Sequence, residues 1–143
     1  MGRRGDRQGR AALDRALALR LPGPYQLQAA IAALHAEPET DWREIALLYG
    51  RLLNLTPSPV IELNRAVAVA MAHGAEEGLA LMETIDGLDD YYLLHAARAD
   101  LLRRLDRSDE AAVAYERALA LAPSDVERGF LRARLLERLH GDP

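Results

Sequence analysis

The sequence contains no cysteine and no lysine, and only one tryptophan and one phenylalanine. Without cysteine, a disulfide framework, a thiolate zinc site and a catalytic thiol are all excluded, and a reducing compartment is compatible. No stretch approaches the roughly 18 continuous apolar residues of a membrane span. The N-terminus lacks the apolar run of a secretory signal peptide. These absences predict a soluble, cytoplasmic protein with no membrane partner. All 18 basic residues are arginine, which we read as the mark of a GC-rich genome and not of function.

What is present points to packed helices. Half of the 143 residues are hydrophobic but only 5% are aromatic. Alanine and leucine dominate instead, so helix axes can approach closely while leucine fills the gaps. A chain of this length buries most of its apolar surface as one domain, without metals or crosslinks. The net charge of -4 argues against broad nucleic-acid binding, which needs a clustered positive surface. A local exception is Arg3, Arg4, Arg7 and Arg10, in a segment read as a frayed or linker-derived start.

Internal repetition is visible. Tyr49 and Tyr115, Pro57 and Pro123, Leu53 and Leu119, and Leu55 and Leu121 are each 66 residues apart. Half that interval relates Ala33, Ala66 and Ala99, the trio Leu27, Val60 and Leu93, and the trio Ala36, Val69 and Leu102. A period of about 33 residues with helical patterning inside each unit predicts helix-turn-helix repeats.

Caps and breakers divide the units. Gly23-Pro24 opens a helix whose apolar positions are Leu27, Ala30, Ile31 and Leu34, and Pro38 ends it. Thr40 is expected to cap a helix over Asp41 to Leu55. Ser58-Pro59 starts the next pair, Gly74 divides it, and its second helix is predicted over Ala75 to Ile85 before the Asp86-Gly87 turn. The third pair is expected over Asp89 to Leu105 and Ser108 to Leu121. Ser124 and Glu127 form a capping box for a closing helix. In that helix Phe130, Leu131, Leu135 and Leu139 are predicted to pack inward, with Arg128, Arg132, Arg134, Glu137 and Arg138 outside. Arg10 to Leu21 reads as a further helix, because Arg15 to Leu19 repeats the string of Arg117 to Leu121. Eight helices are expected in all. A flexible N-terminus covers residues 1–8 and one domain covers 9–141. The repeats lie at about 26–58, 59–91 and 92–124, and the capping helix at 125–140.

Leu105 to Pro123, LDRSDEAAVAYERALALAP, resembles the second half of the tetratricopeptide motif. Ala111 and Ala118 stand where small residues let helices touch, Tyr115 packs between them and Pro123 closes the unit. The first unit departs from the motif with Ile45 and Leu52, and the middle unit with Gly78, Met82 and Ile85. The fold class implied is an all-α, right-handed tetratricopeptide-like solenoid. A narrower resemblance covers almost the whole chain. The strings GPYQLQAAIAALHA, DWREIALLY, SPVIELNRAVAVAMAHG and YYLLHAARADLLRRL are similar to the C-terminal extension of a group of bacterial extracytoplasmic-function sigma factors. In that group a tetratricopeptide-like domain follows two promoter-recognising domains, and nothing in these 143 residues resembles either of them.

Catalytic patterns are weak. His35, His73, His95 and His140 show no His-x-x-x-His spacing and have no cysteine or paired-carboxylate frame. The serines at 58, 108 and 124 sit at predicted helix starts, where capping explains them. Glu76-Glu77 and Asp89-Asp90 fall in first turns, where negative charge offsets the helix dipole. No catalytic residue, metal or cofactor is assigned.

A polar set inside otherwise apolar helices is more informative: Gln28, His35, Asn64, Arg65, His95, Arg98 and Asp100. Burying an unpaired charge is costly, so Arg65 and Arg98 are expected to pair with Asp100 or a backbone carbonyl, or to lie on a functional surface. A register-fixing network and a ligand-contacting surface both remain open. By register, the concave face of such an array carries Leu27, Ala30, Leu34, Val60, Leu63, Val67, Met71, Leu93 and Ala96, with Asp100, Arg103 and Arg104 at one end. An apolar trough with a charged end suits an amphipathic helix. Its cover is a neighbouring helix, a partner, or a second copy in a homodimer.

These readings predict a non-catalytic interaction or regulatory domain of a sigma factor, acting in transcription initiation. Its expected partner is a protein, either the promoter domains or RNA polymerase, and no direct sequence-specific DNA contact is expected. The alternatives are an independent tetratricopeptide scaffold with an unrelated partner, and an enzyme or small-molecule sensor built on a helical solenoid.

Overall fold

The computed structural model describes residues 23–139, with side-chain surroundings through residue 133. Seven helices and no strand occur among the described residues: α1 (Pro24–His35), α2 (Trp42–Leu55), α3 (Pro59–His73), α4 (Ala75–Met82), α5 (Tyr92–Arg104), α6 (Ser108–Leu121) and α7 (Asp125–Leu139). The segment Arg10 to Leu21 expected as a further helix, the four N-terminal arginines and His140 lie outside the described residues. So do the side chains of Arg134, Leu135, Glu137, Arg138 and Leu139.

Local chemistry sets the helix starts. Pro24 and Pro59 are first helical residues, where the missing N–H and the fixed φ cost nothing. Ser58 Oγ accepts from the Ile61 N–H at 3.4 Å, and Ser124 Oγ from the Glu127 N–H at 3.5 Å. Two expectations need correction. Asp41 and not Thr40 caps α2, its Oδ1 accepting from the Glu44 N–H at 3.2 Å, because a carboxylate at that position also meets the positive end of the helix dipole. Arg107 and not Ser108 stands at the N-cap of α6.

The ends differ from expectation in the middle unit. α4 stops at Met82, not at Ile85. Tighter bonds, Thr84 N–H to Leu81 O and Ile85 N–H to Met82 O, replace the helical pattern there, and the Thr84 hydroxyl donates to Leu81 O at 2.7 Å. Ile85 and Leu88 remain buried in the loop, so their burial, not helix continuation, explains the apolar pattern. α5 begins at Tyr92 and ends with Asp106 at φ 59. Arg107 N–H bonds to Leu102 O at 2.9 Å and Asp106 N–H to Arg103 O at 3.0 Å. This is a Schellman closure with aspartate in the place glycine usually takes.

Packing runs between consecutive helices, with α3 also meeting α5. Two hydrophobic clusters result, and α3 belongs to both. Its Leu63, Ala66 and Ala70 join residues of α4 to α7. Its Ala68 and Val69, with half-buried Ile61, join Leu27, Leu34, Ile45 and Leu52 of α1 and α2. The apolar string Ala66 to Ala72 is thereby explained: two sides of α3 face neighbouring helices of the same chain. Ala99, Ala111, Tyr115 and Ala118 are almost wholly buried in the α5–α6 part of the larger cluster.

α3 and α4 approach so closely that a Cβ on Gly78 would lie 2.8 Å from the Ala66 carbonyl oxygen and closer still to the Ala70 Cβ. Glycine is required there although the repeat register places Ala111 and Ile45 at the equivalent positions. The last helix also departs from expectation: Leu131 is buried, but Phe130 is 62% exposed. Phe130 follows Val126 by one turn on the outer side, whereas Leu131 is turned by about 100° toward α6.

Two predictions follow from this packing. Gly78→Ala gains about 1 kcal/mol of helix propensity but overpacks the α3–α4 contact at a cost of about 1–3 kcal/mol; a lowered urea midpoint is expected, and an unchanged or raised one would show that the helices separate freely. Asp106→Gly relieves the left-handed conformation and is expected to stabilise by about 1 kcal/mol, measured by the same denaturation.

Candidate functional site

A further side of α3 is only partly covered by the larger cluster. It carries Val60, Asn64, Val67 and Met71, spaced so that all four share one stripe of the helix. On α5 the residues 33 positions later, Leu93, Ala97, Asp100 and Arg104, form a parallel stripe. The two stripes are tied where Arg104 Nη1 donates to Met71 Sδ at 3.2 Å. Val60, Met71 and Leu93 are 39%, 41% and 42% exposed, while Val67 is half-buried against the larger cluster. This strip is apolar at one end and charged at the other.

At the charged end Asp100 accepts from Arg103 Nη2 and Arg104 Nη2, both at 3.1 Å. One carboxylate thus holds two guanidinium groups beside Met71. The hydrogen bond to Asp100 holds the Arg103 pKa above its ordinary value. Arg104 also lies in the last turn of α5, where cations are favoured by the dipole.

The remaining sequence candidates are dispersed. Leu34 and Leu63 do not border a groove: both are buried, Leu34 in the α1–α2 cluster and Leu63 in the larger one. The 33-residue register that relates α3 to α5 does not extend to α1. Leu27 is wholly buried where Val60 and Leu93 are exposed, because α1 turns its leucine stripe onto α2. Asn64 is exposed within the strip. Arg65 points away from it, into a groove between α2 and α4.

The expected pairing of Arg65 and Arg98 with Asp100 is not what forms. Arg98 Nε donates to Glu83 Oε1 at 2.9 Å, joining α5 to the turn after α4, and Asp100 is engaged by its own helix. His95 Nε2–H donates to the Asp89 carbonyl at 2.7 Å, fixing the start of α5. Gln28 and His35 are exposed on α1, and the His35 ring meets Trp42 edge-on at 5.3 Å. His95 and Arg98 therefore have structural partners. Glu83 escaped the sequence reading because its partner lies 15 residues away across a loop.

No group of three or more His, Cys, Asp or Glu side chains able to hold a metal occurs among the described residues. No helix among them is long and apolar enough to cross a membrane.

Comparison with known proteins gives one informative relation. An uncharacterized protein of Rhizobium meliloti (strain 1021) is 48% identical over 138 residues, covering 93% of this chain and 32% of that protein. The chain thus spans about a third of that relative's length. No protein-family model matches the sequence. No solved structure matches it either.

The strip and the core respond differently to charge. Leu63→Asp places a carboxylate in the larger cluster and is expected to abolish the cooperative far-UV transition. Leu93→Asp, on the exposed strip, is expected to change stability by under about 1 kcal/mol. A folded Leu63→Asp protein with normal helical content would show that α3 is not packed as described.

Proposed function

We propose that the chain is a non-catalytic protein-interaction module of tetratricopeptide-like build, serving as a regulatory domain of a sigma factor in transcription initiation. The observation that carries the interaction reading is the paired strip on α3 and α5, an apolar run of Val60, Met71 and Leu93 ending in Arg103 and Arg104. Consecutive helix packing and the 33-residue correspondence of the two stripes support the solenoid reading. The four strings similar to sigma-factor extensions support the transcriptional one. The greater length of the Rhizobium relative supports a role as one part of a larger assembly.

The proposed partner is a protein: the promoter-recognising domains, or RNA polymerase itself, presenting an amphipathic helix to the strip. In such helix-in-groove recognition the apolar stripe supplies affinity and the charged end sets direction. The polar set fits structural work better than chemistry, since His95 and Arg98 are held by Asp89 and Glu83.

Gel filtration of the chain with bacterial core RNA polymerase, and separately with the portion of the Rhizobium relative outside the aligned region, tests the assignment. Co-elution with either is expected, and Leu93→Asp is expected to weaken it at least about tenfold. Failure to associate with both overturns the sigma-factor reading and leaves an unrelated scaffold. With a net charge of -4, the chain alone is expected to show no sequence-selective promoter binding in anisotropy titrations at physiological salt.

A further inference from the structure

A second surface lies on another side of the molecule. α4 has 8 residues where α2 has 14, so its missing turns leave α3 uncovered between them. Two adjoining hollows of about 250 and 570 Å³ share Arg65, Leu81 and Thr84 and form one trough. Its floor is α3 from Glu62 to His73, which at 1.5 Å per residue is about 16 Å, or three helical turns. Ala46, Leu47, Val69 and Ala80 make one half apolar, and Leu53 and Ile85 the other. Leu47 is 66% exposed on the rim.

The charges are distinctive. Arg98, Arg103, Arg104, Arg107, Arg117 and Arg128 each meet a carboxylate of the chain at 3.4 Å or less. Arg65, at the junction of the two hollows, and Arg43, at one end, have no such partner among the described residues, and neither do Arg51 and Arg132 away from the trough. Glu62 and Glu77 stand toward opposite ends of the trough, so its centre is positive and its walls are apolar.

We infer that this trough docks an amphipathic protein helix of about three turns, whose apolar stripe lies on Leu47, Val69 and Leu81 and whose central carboxylate pairs with Arg65. Helical walls and a helical floor fit a helix, in the way a further helix packs on a bundle. Covering the trough removes apolar surface from water while giving Arg65 an acceptor that the described residues do not provide. The surface is distinct from the α3–α5 strip, and the inference stands or falls without reference to polymerase.

The probe is a stapled helical peptide of about 14 residues with leucines along one face and glutamate at its centre. Matched peptides carry glutamine or arginine in place of that glutamate. Fluorescence anisotropy with the full chain is expected to show binding of the glutamate peptide, weakened about tenfold or more by Arg65→Glu and by Leu47→Asp, and unchanged by Arg51→Glu. The arginine peptide is expected to regain affinity for Arg65→Glu. Circular dichroism verifies that each variant is folded. Equal binding of the glutamate and glutamine peptides, binding insensitive to both groove variants, or no binding at all would each overturn the proposal. So would sedimentation showing that the chain self-associates and that Leu47→Asp makes it monomeric, because the occupant would then be a second copy.

Discussion

The arrangement depends on the double burial of α3. One side packs Leu63, Ala66 and Ala70 into the larger cluster, and another packs Ala68 and Val69 against α1 and α2. Both contacts require small side chains, since bulk on either side would push a neighbour away. The α4 side is the tighter, with Gly78 set against Ala66 and Ala70. Once α3 is held on two sides, what it leaves for solvent or a partner divides into two strips. The positions of the α3–α5 strip and the α2–α4 trough both follow from that geometry.

The same constraint separates structural from available charges. Arg98 is drawn into a pair with Glu83 that connects α5 to the turn after α4, while Asp100 and Arg103 pair within α5 itself. Their partially exposed ion pairs contribute little stability, roughly 0–1 kcal/mol each, but they orient the side chains that frame the strip. Arg65 shares its helix with the buried residues yet emerges on the side where α4 falls short. Its setting differs from that of Arg98, although both are arginines interrupting apolar helices.

Much of the helical framework was legible in the chain. Pro24, Pro59, Ser58, Gly74 and Ser124 mark boundaries through local backbone chemistry, which a sequence displays directly. The 33-residue correspondence of α3 and α5 was legible for the same reason, because both helices repeat one packing problem. It misled at α1, where Leu27 and Leu34 face inward: a period reports similarity of sequence, and rotation about the helix axis is decided by the neighbour. The end of α4 was also obscured, since Ile85 is buried as a loop residue in the core.

The candidate site was less legible. The repeat register puts Val67 and Met71 on the stripe that faces α5, but it also puts Leu63 there, which lies buried on an adjacent side of α3, and it leaves Asn64 off that stripe. The trough could not be read at all, because it arises from a difference in length between two helices that are not sequence neighbours. Ion-pair partners such as Glu83 are likewise set by loop geometry that no periodicity encodes.

A helix packed on two sides also constrains how this sequence can change in length over evolution. One residue inserted within α3 would rotate everything beyond it by about 100°, moving Val69 and Ala70 off their respective cores together. No shift of a single neighbour would restore both contacts. By contrast, the segment between α4 and α5 turns through Gly87 at φ 90 and carries exposed residues at Asp86, Asp89 and Asp90. Length variation among descendants of this sequence should therefore gather in that connection and spare α3.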